Sequence, residues 1–141
     1  MNHESEKVTR KNRIDLLLKA AGWRIVKFSD NMDPRLLQNY AIEELPTGNG
    51  PADYALAVNG RILGVIEAKK LEVGAENVLE QAKRYSRGAN NTIGDWNGYR
   101  VPFLYSSNGE LIYHLDARDS NNLSRQIYGF HSPEALESCF Y

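Results

Sequence analysis

An α/β (α+β) fold, with one central mixed β-sheet flanked by helices, is what this 141-residue sequence predicts. Three observations carry it. Apolar residues recur at helical spacing near the start, in the middle and at the end. Two pairs of short apolar runs are each joined at an Asn-Gly dipeptide, Asn59-Gly60 and Asn108-Gly109, which is a hairpin signal. No repeat, linker or low-complexity tract interrupts them, and the length suits one domain, residues 1–141.

The first helix is expected over Glu4 to Ala21. Val8, Ile14, Leu17, Leu18 and Ala21 fall near one face, Glu4 and Glu6 suit the positive end of the dipole, and Gly22 sits where a left-handed cap belongs. Trp23 to Phe28 alternates large apolar with basic residues, as a strand does. Asp33-Pro34 opens a short helix through Arg35, Leu36 and Leu37. Tyr40 to Leu45 is compatible with the end of that helix or with a strand, and strand is preferred. Pro46 to Pro51 is a loop by composition. Asp53 to Val58 and Ile62 to Ile66 form the first hairpin. A helix follows from about Ala75 to Arg87, on which Val78, Leu79, Ala82 and Tyr85 share a spacing, with Gly88 to end it. Val101 to Tyr105 and Leu111 to Leu115 form the second hairpin, and Asn121 to Arg125 reads as a loop. Ser132-Pro133-Glu134 starts the last helix, Ser132 as cap and Pro133 in the first turn.

The composition, 42% hydrophobic and 25% charged, is that of a soluble globular chain, and no apolar run reaches the roughly 20 residues of a membrane span. The opening MNHESEKVTRKNR has no secretory apolar stretch. A single cysteine, Cys139, excludes an internal disulfide, so a reducing, cytoplasmic location is the default. The net charge of −1 does not advertise a duplex-binding surface. Two local basic clusters exist, Lys7, Arg10, Lys11 and Arg13, and then Lys83, Arg84 and Arg87. For each, a solvated helix face is as good a reading as a phosphate-facing one.

The chemistry-bearing residues are Asp53, Glu67 and Lys69. Glu67 and Lys69 are two apart, so on a strand they point to one face, at the end of an apolar run where active sites often lie. Asp53 begins the partner strand. A three-residue loop, Asn59-Gly60-Arg61, or an equivalent bulge would set Asp53 opposite Glu67. A two-residue Asn59-Gly60 turn alone would set it opposite Ile66 and send Glu67 to the other face. Side-by-side carboxylates repel, and a hard divalent cation relieves the repulsion. A nearby lysine can orient or deprotonate a water or stabilise a pentavalent phosphorus. The bland readings are a solvated EAKKLE helix and an aspartate capping a turn.

Those residues resemble a known family. Pro51-Ala52-Asp53, Glu67-Ala68-Lys69 and the later Gln81-Ala82-Lys83-Arg84-Tyr85 are similar to the PD-(D/E)XK nuclease superfamily. SEKVTR (Ser5 to Arg10), AAGW (Ala20 to Trp23), GPADYAL (Gly50 to Leu56), VIEAKK (Val65 to Lys70), QAKRYS and PFLYSSNG (Pro102 to Gly109) narrow it. Together they resemble the N-terminal nuclease domain of the restriction (R) subunit of type I restriction-modification enzymes. The resemblance implies a restriction-endonuclease-like fold and DNA phosphodiester hydrolysis. It implies a Mg²⁺ ion (Mn²⁺ as substitute) held by Asp53 and Glu67, with Lys69 assisting. Gln81 and Tyr85 match the family's Q-x-x-x-Y motif and, four apart, share a helix face toward the site or the DNA backbone. Otherwise they read as an amphipathic helix with a core-edge tyrosine. Glu6 matches an acidic position near the metal in related nucleases, with Glu4 as the alternative, and Pro51 stiffens its loop. DNA is the implied partner, with the modification and specificity subunits reached through a full-length protein and no membrane. No G-x-x-x-x-G-K-[S/T] occurs, so no ATP site is expected here, and the chain is expected to be a piece of a longer subunit whose motor lies elsewhere.

Other signals are weaker. His3, His114 and His131 lack metal-site spacing, and His114 is expected to face solvent. Cys139 reads as a structural thiol. Tyr99, Tyr105 and Tyr113 read as core or sheet-surface residues before base-stacking ones. The competing functions are a repair or junction-resolving nuclease of the same superfamily, and a DNA-binding or assembly module with vestigial chemistry.

Overall fold

The computed structural model describes residues 5–33, 37–69, 79–89 and 94–140. The expected helix start at Asp33-Pro34 and the first turn of the middle helix, Ala75 to Val78, lie largely or wholly outside them. Seven strands form one mixed sheet in chain order: β1 (Arg24–Lys27), β2 (Tyr40–Leu45), β3 (Ala52–Val58), β4 (Arg61–Ala68), β5 (Phe103–Ser107), β6 (Ile112–Asp116) and β7 (Arg125–Ile127). The pairs β1–β2 and β4–β5 are parallel and the other four are antiparallel. The hairpins at Asn59-Gly60 and Asn108-Gly109 account for two antiparallel pairs. The β4–β5 crossover carries α3 (Leu79–Gly88), because parallel neighbours need a long return connection. Tyr40 to Leu45 is a strand, as preferred.

The opening helix is not uniform. It runs as α1 (Glu6–Thr9), a π-helical turn (Arg10–Ile14) and α2 (Asp15–Ala20), ending at Gly22 with φ +102°. The π turn corrects the expected buried face. Val8 is exposed, whereas Thr9, Ile14 and Leu18 are fully buried. The wider turn lets a five-residue step, from Thr9 to Ile14, stay on one face. This helix, with α4 (Pro133–Phe140), packs on the face of the sheet bearing Tyr54, Leu56 and Ile66. On the other face α3 covers Ala55, Val65 and Leu104 with Leu79 and Ala82. In α4 the cap forms as expected, with Ala135 N–H donating to Ser132 Oγ at 3.1 Å.

The first hairpin settles the register question. Its turn has two residues, with Val58 paired to Arg61 and both Asn59 (φ +50°) and Gly60 (φ +79°) left-handed, as a type I′ turn requires. The three-residue loop is therefore corrected. The extra residue stands instead inside β4, where the pairing steps from Ala57–Ile62 to Leu56–Gly64 and leaves Leu63 as the bulge. Next to it, a Cβ on Gly64 would lie 3.1 Å from Leu56 Cδ1 and 3.3 Å from the Phe103 carbonyl oxygen. Gly64→Ala should therefore lower stability by about 1–2 kcal/mol through overpacking. Urea unfolding would measure this, and a midpoint equal to the native one would refute it.

Two further expectations are corrected. His114, expected at the surface, is 6% exposed. It stacks on Tyr105 (ring centroids 4.6 Å apart) and lies edge-on to His131 at 5.0 Å. The strand places it inside because α4 and the segment before it close over that end of the sheet. The stretch read as a loop, Asn121 to Arg125, runs into a seventh strand, which polar composition concealed. Cys139 is exposed on α4.

Candidate active site

The bulge brings the acidic pair together. Pairing of Tyr54 with Ile66, carried one step further, sets Asp53 against Glu67, and directly opposed residues share a face of the sheet. Ala68 N–H donates to Asp53 Oδ2 at 2.8 Å, which ties the aspartate to the end of β4. Lys69 N–H donates to the Ser107 carbonyl at 2.9 Å, so the β4–β5 ladder extends to the lysine. Lys69 Nζ lies 2.6 Å from Glu67 Oε1. This is a short charge-assisted contact, and the backbone at Ala82 also bears on the carboxylate.

Glu67 is 1% exposed. Burial pushes its pKa up. The Lys69 ammonium and the backbone at Ala82 pull it down, Asp53 pushes it up again, and the balance stays above the ordinary carboxylate value. A buried carboxylate beside a second one is costly in its charged form, so the site favours a proton or a further cation.

Arg10, in the π turn, reaches the same strand ends. Its guanidinium lies 3.7 Å from Glu43, 3.6 Å from Glu44 and 3.8 Å from Asp53 Oδ1. Burial lowers its pKa, but the carboxylates, Asp53 foremost, hold it above its ordinary value. The helix that carries it is pinned to β3. Tyr54 donates a short hydrogen bond to Asp15 Oδ1, and its hydroxyl also approaches the Arg10 carbonyl at 3.3 Å. Arg10 completes the contact over the Tyr54 ring, 5.6 Å from its centre. Sequence spacing marked Arg10 only as one of a basic cluster. Lys7 and Lys11 in that cluster are more solvated, with the Lys11 side chain 64% exposed against 17% for Arg10.

Gln81 and Tyr85 sit on α3, the helix whose Ala82 backbone adjoins Glu67. Both are half-buried, and Tyr85 packs against the apolar cluster between α3 and the sheet. The structure thus brings Asp53, Glu67 and Lys69 together and sets the Gln81–Tyr85 helix beside them. Glu6 lies in α1, and its side chain is outside what the structure describes. Of the tyrosines weighed for base stacking, Tyr105 is core, while Tyr99 accepts a hydrogen bond from Arg87 at 2.8 Å.

Comparison with known proteins gives concordant results. Residues 21–140 match the family model described as the type I restriction enzyme EcoKI endonuclease subunit second domain. The EcoKI endonuclease subunit of Escherichia coli (strain K12) is 29% identical over 171 aligned positions, which take in 87% of this chain and 15% of that protein. A solved fragment described as an HsdR subunit of a type I restriction enzyme from Vibrio vulnificus YJ016 superposes with a TM-score of 0.70 at 20% identity. It covers 99% of this chain and 26% of the fragment, and this likeness establishes the fold. The chain therefore spans a small part of the length of either relative.

Proposed function

The chain belongs to the family of type I restriction enzyme endonuclease subunits, and on that premise we propose that it is a Mg²⁺-dependent nuclease domain that hydrolyses DNA phosphodiester bonds in restriction of foreign DNA. The supporting observation is Glu67: a buried carboxylate opposite Asp53 and in contact with Lys69. Among the described residues no three His, Cys, Asp or Glu side chains converge. Asp53 and Glu67 supply two carboxylates, a number Mg²⁺ commonly takes from protein while water and phosphate oxygens complete its shell, with Glu6 as the candidate third. The residues present fit the ion.

In this reading Asp53 and Glu67 hold the cation, which when bound supplies charge neutralisation at the phosphoryl group and a more acidic water. Asp53 is oriented by the Ala68 N–H, which donates to Oδ2. The β4–β5 ladder fixes the backbone of Lys69, so its ammonium is presented at the mouth of the site rather than free in solvent. There it orients the attacking water or stabilises the negative charge developing on phosphorus. Gln81 and Tyr85 approach the substrate backbone from α3. ATP has no place in this chemistry. DNA is the substrate, and the specificity and modification subunits would be met through the longer protein, in the cytoplasm. Among the described residues no helix is long and apolar enough to cross a membrane.

Calorimetric titration with Mg²⁺ or Mn²⁺ tests the proposal. The native chain is expected to bind one ion or two per chain, and Glu67→Ala to lose the binding while remaining folded. Equal binding by the two proteins would refute the metal site. A repair or junction-resolving nuclease shares this chemistry, but the family match favours restriction. A module with vestigial chemistry would have no need of a complete Asp53, Glu67 and Lys69 set.

A further inference from the structure

We propose that Arg10 is a resident counter-cation of Asp53, a positioning residue that steadies the carboxylate and competes with the divalent ion for it. The inference rests on the metal reading above and goes beyond it by assigning a residue that sets the affinity of the site.

The geometry points to competition rather than a fixed tether. All three contacts of the guanidinium with carboxylates fall between 3.6 and 3.8 Å. These lengths exceed normal charge-assisted hydrogen bonds, which are about 2.7–2.9 Å. The charge of Arg10 is therefore shared among Glu43, Glu44 and Asp53 and committed to none. The Ala68 N–H donates to Asp53 Oδ2, and Arg10 lies 3.8 Å from the other oxygen, Oδ1.

The backbone is built to deliver this arrangement. A π turn interrupts an otherwise α-helical segment, and such turns are rare and concentrate at functional positions. Here it begins at Arg10, whose carbonyl accepts the Asp15 N–H five residues on. Tyr54, next to Asp53 on β3, holds that turn through its hydroxyl and ring. Beside Arg10 opens a cleft of about 530 Å³, lined also by Lys7, Lys11, Lys27, Glu43 and Glu44. It gives the guanidinium room to move off Asp53 while keeping Glu43 and Glu44 as partners.

The test is calorimetry with MnCl₂ alone on the full chain, with Asp53→Ala as the blank. Arg10→Met should bind Mn²⁺ about tenfold more tightly than the native chain, the effect of removing one positive charge near a divalent ion at a partly hydrated site. Arg10→Lys, which keeps the charge, should stay within about threefold of native. A merely structural arginine gives the opposite sign, since loosening Asp53 weakens binding. Unchanged or weaker binding in a folded Arg10→Met overturns the proposal and leaves the metal site standing. Absence of Mn²⁺ binding in the native chain overturns both. Should Arg10→Met not fold, the native chain still decides. The Arg10 Nε–Hε resonance must shift on Mg²⁺ addition with the calorimetric midpoint and stay fixed in Asp53→Ala, and a resonance that does not respond to Mg²⁺ overturns the proposal.

Discussion

Nicking of supercoiled plasmid in Mg²⁺ should fall about 10²- to 10⁴-fold in Lys69→Ala, the range for a group that moves or holds a proton at the reacting water, and below detection in Asp53→Ala. The two substitutions act differently. Asp53 is one of the two carboxylates proposed to hold the ion, and without it that pair is broken. Lys69 leaves the ligands in place, so Lys69→Ala should still bind the ion calorimetrically while failing to cut. Neither change should unfold the protein. Asp53 and Lys69 are partly solvated at strand ends, and a Glu67 left without Lys69 can take up a proton instead of holding an unpaired charge. Loss of Lys69 leaves Glu67 without its ammonium neighbour, and its pKa should rise further, which moves the alkaline onset of any residual activity upward. Equal nicking by native and Asp53→Ala proteins would rule out the assigned chemistry, whatever the family.

The second large effect is on stability. His114 is buried against Tyr105 and His131, and burial first, then the neighbouring His131, lowers its pKa to about 4. A carbonyl only accepts, so the 3.1 Å contact with the Leu104 oxygen requires the proton on Nδ1 of the neutral ring. In the unfolded chain the same ring titrates near 6.5. Between those values the unfolded chain binds a proton that the native one refuses, so stability falls as pH drops from about 6.5 toward 4. The span amounts to roughly 3 kcal/mol, at about 1.4 kcal/mol per pKa unit. His131, also lowered by burial and then by Arg125, adds in the same direction. Asp116, held below its ordinary value against burial by Arg118, loses its contribution only at more acid pH, through its own lowered pKa. Urea midpoints at pH 7.5 and pH 5 should therefore differ strongly in the native chain and much less in His114→Phe. A native chain equally stable at both values, or a variant with the same loss, would show that the ring is not held neutral.

Much of the fold was legible because its signals are local. The Asn-Gly turns, the cap at Ser132, the glycine at position 22, the alternation in β1 and the apolar runs of β3 and β4 each depend on a few neighbouring residues. So did the grouping of Glu67 with Lys69. The geometry joining Asp53 to them was legible only as a condition, a longer loop or a bulge. The two-residue turn met that condition through Leu63, and Gly64 beside it was the one local hint. Arg10 was visible only as one charge among several, since its aim depends on a π turn that helical periodicity cannot show. The burial of His114 and the strand β7 left no local trace either.

By itself, the sequence determined most element types, the two hairpins and the identity of the acids and lysine proposed for the chemistry, because propensity and turn preference act over a few residues of chain. The tertiary structure alone decided where β4 takes up its extra residue, which helix turn widens, which imidazole is dry and which cation faces Asp53. Those outcomes follow from packing helices onto both faces of a sheet, where the burial of distant side chains outweighs the local preference of any one segment.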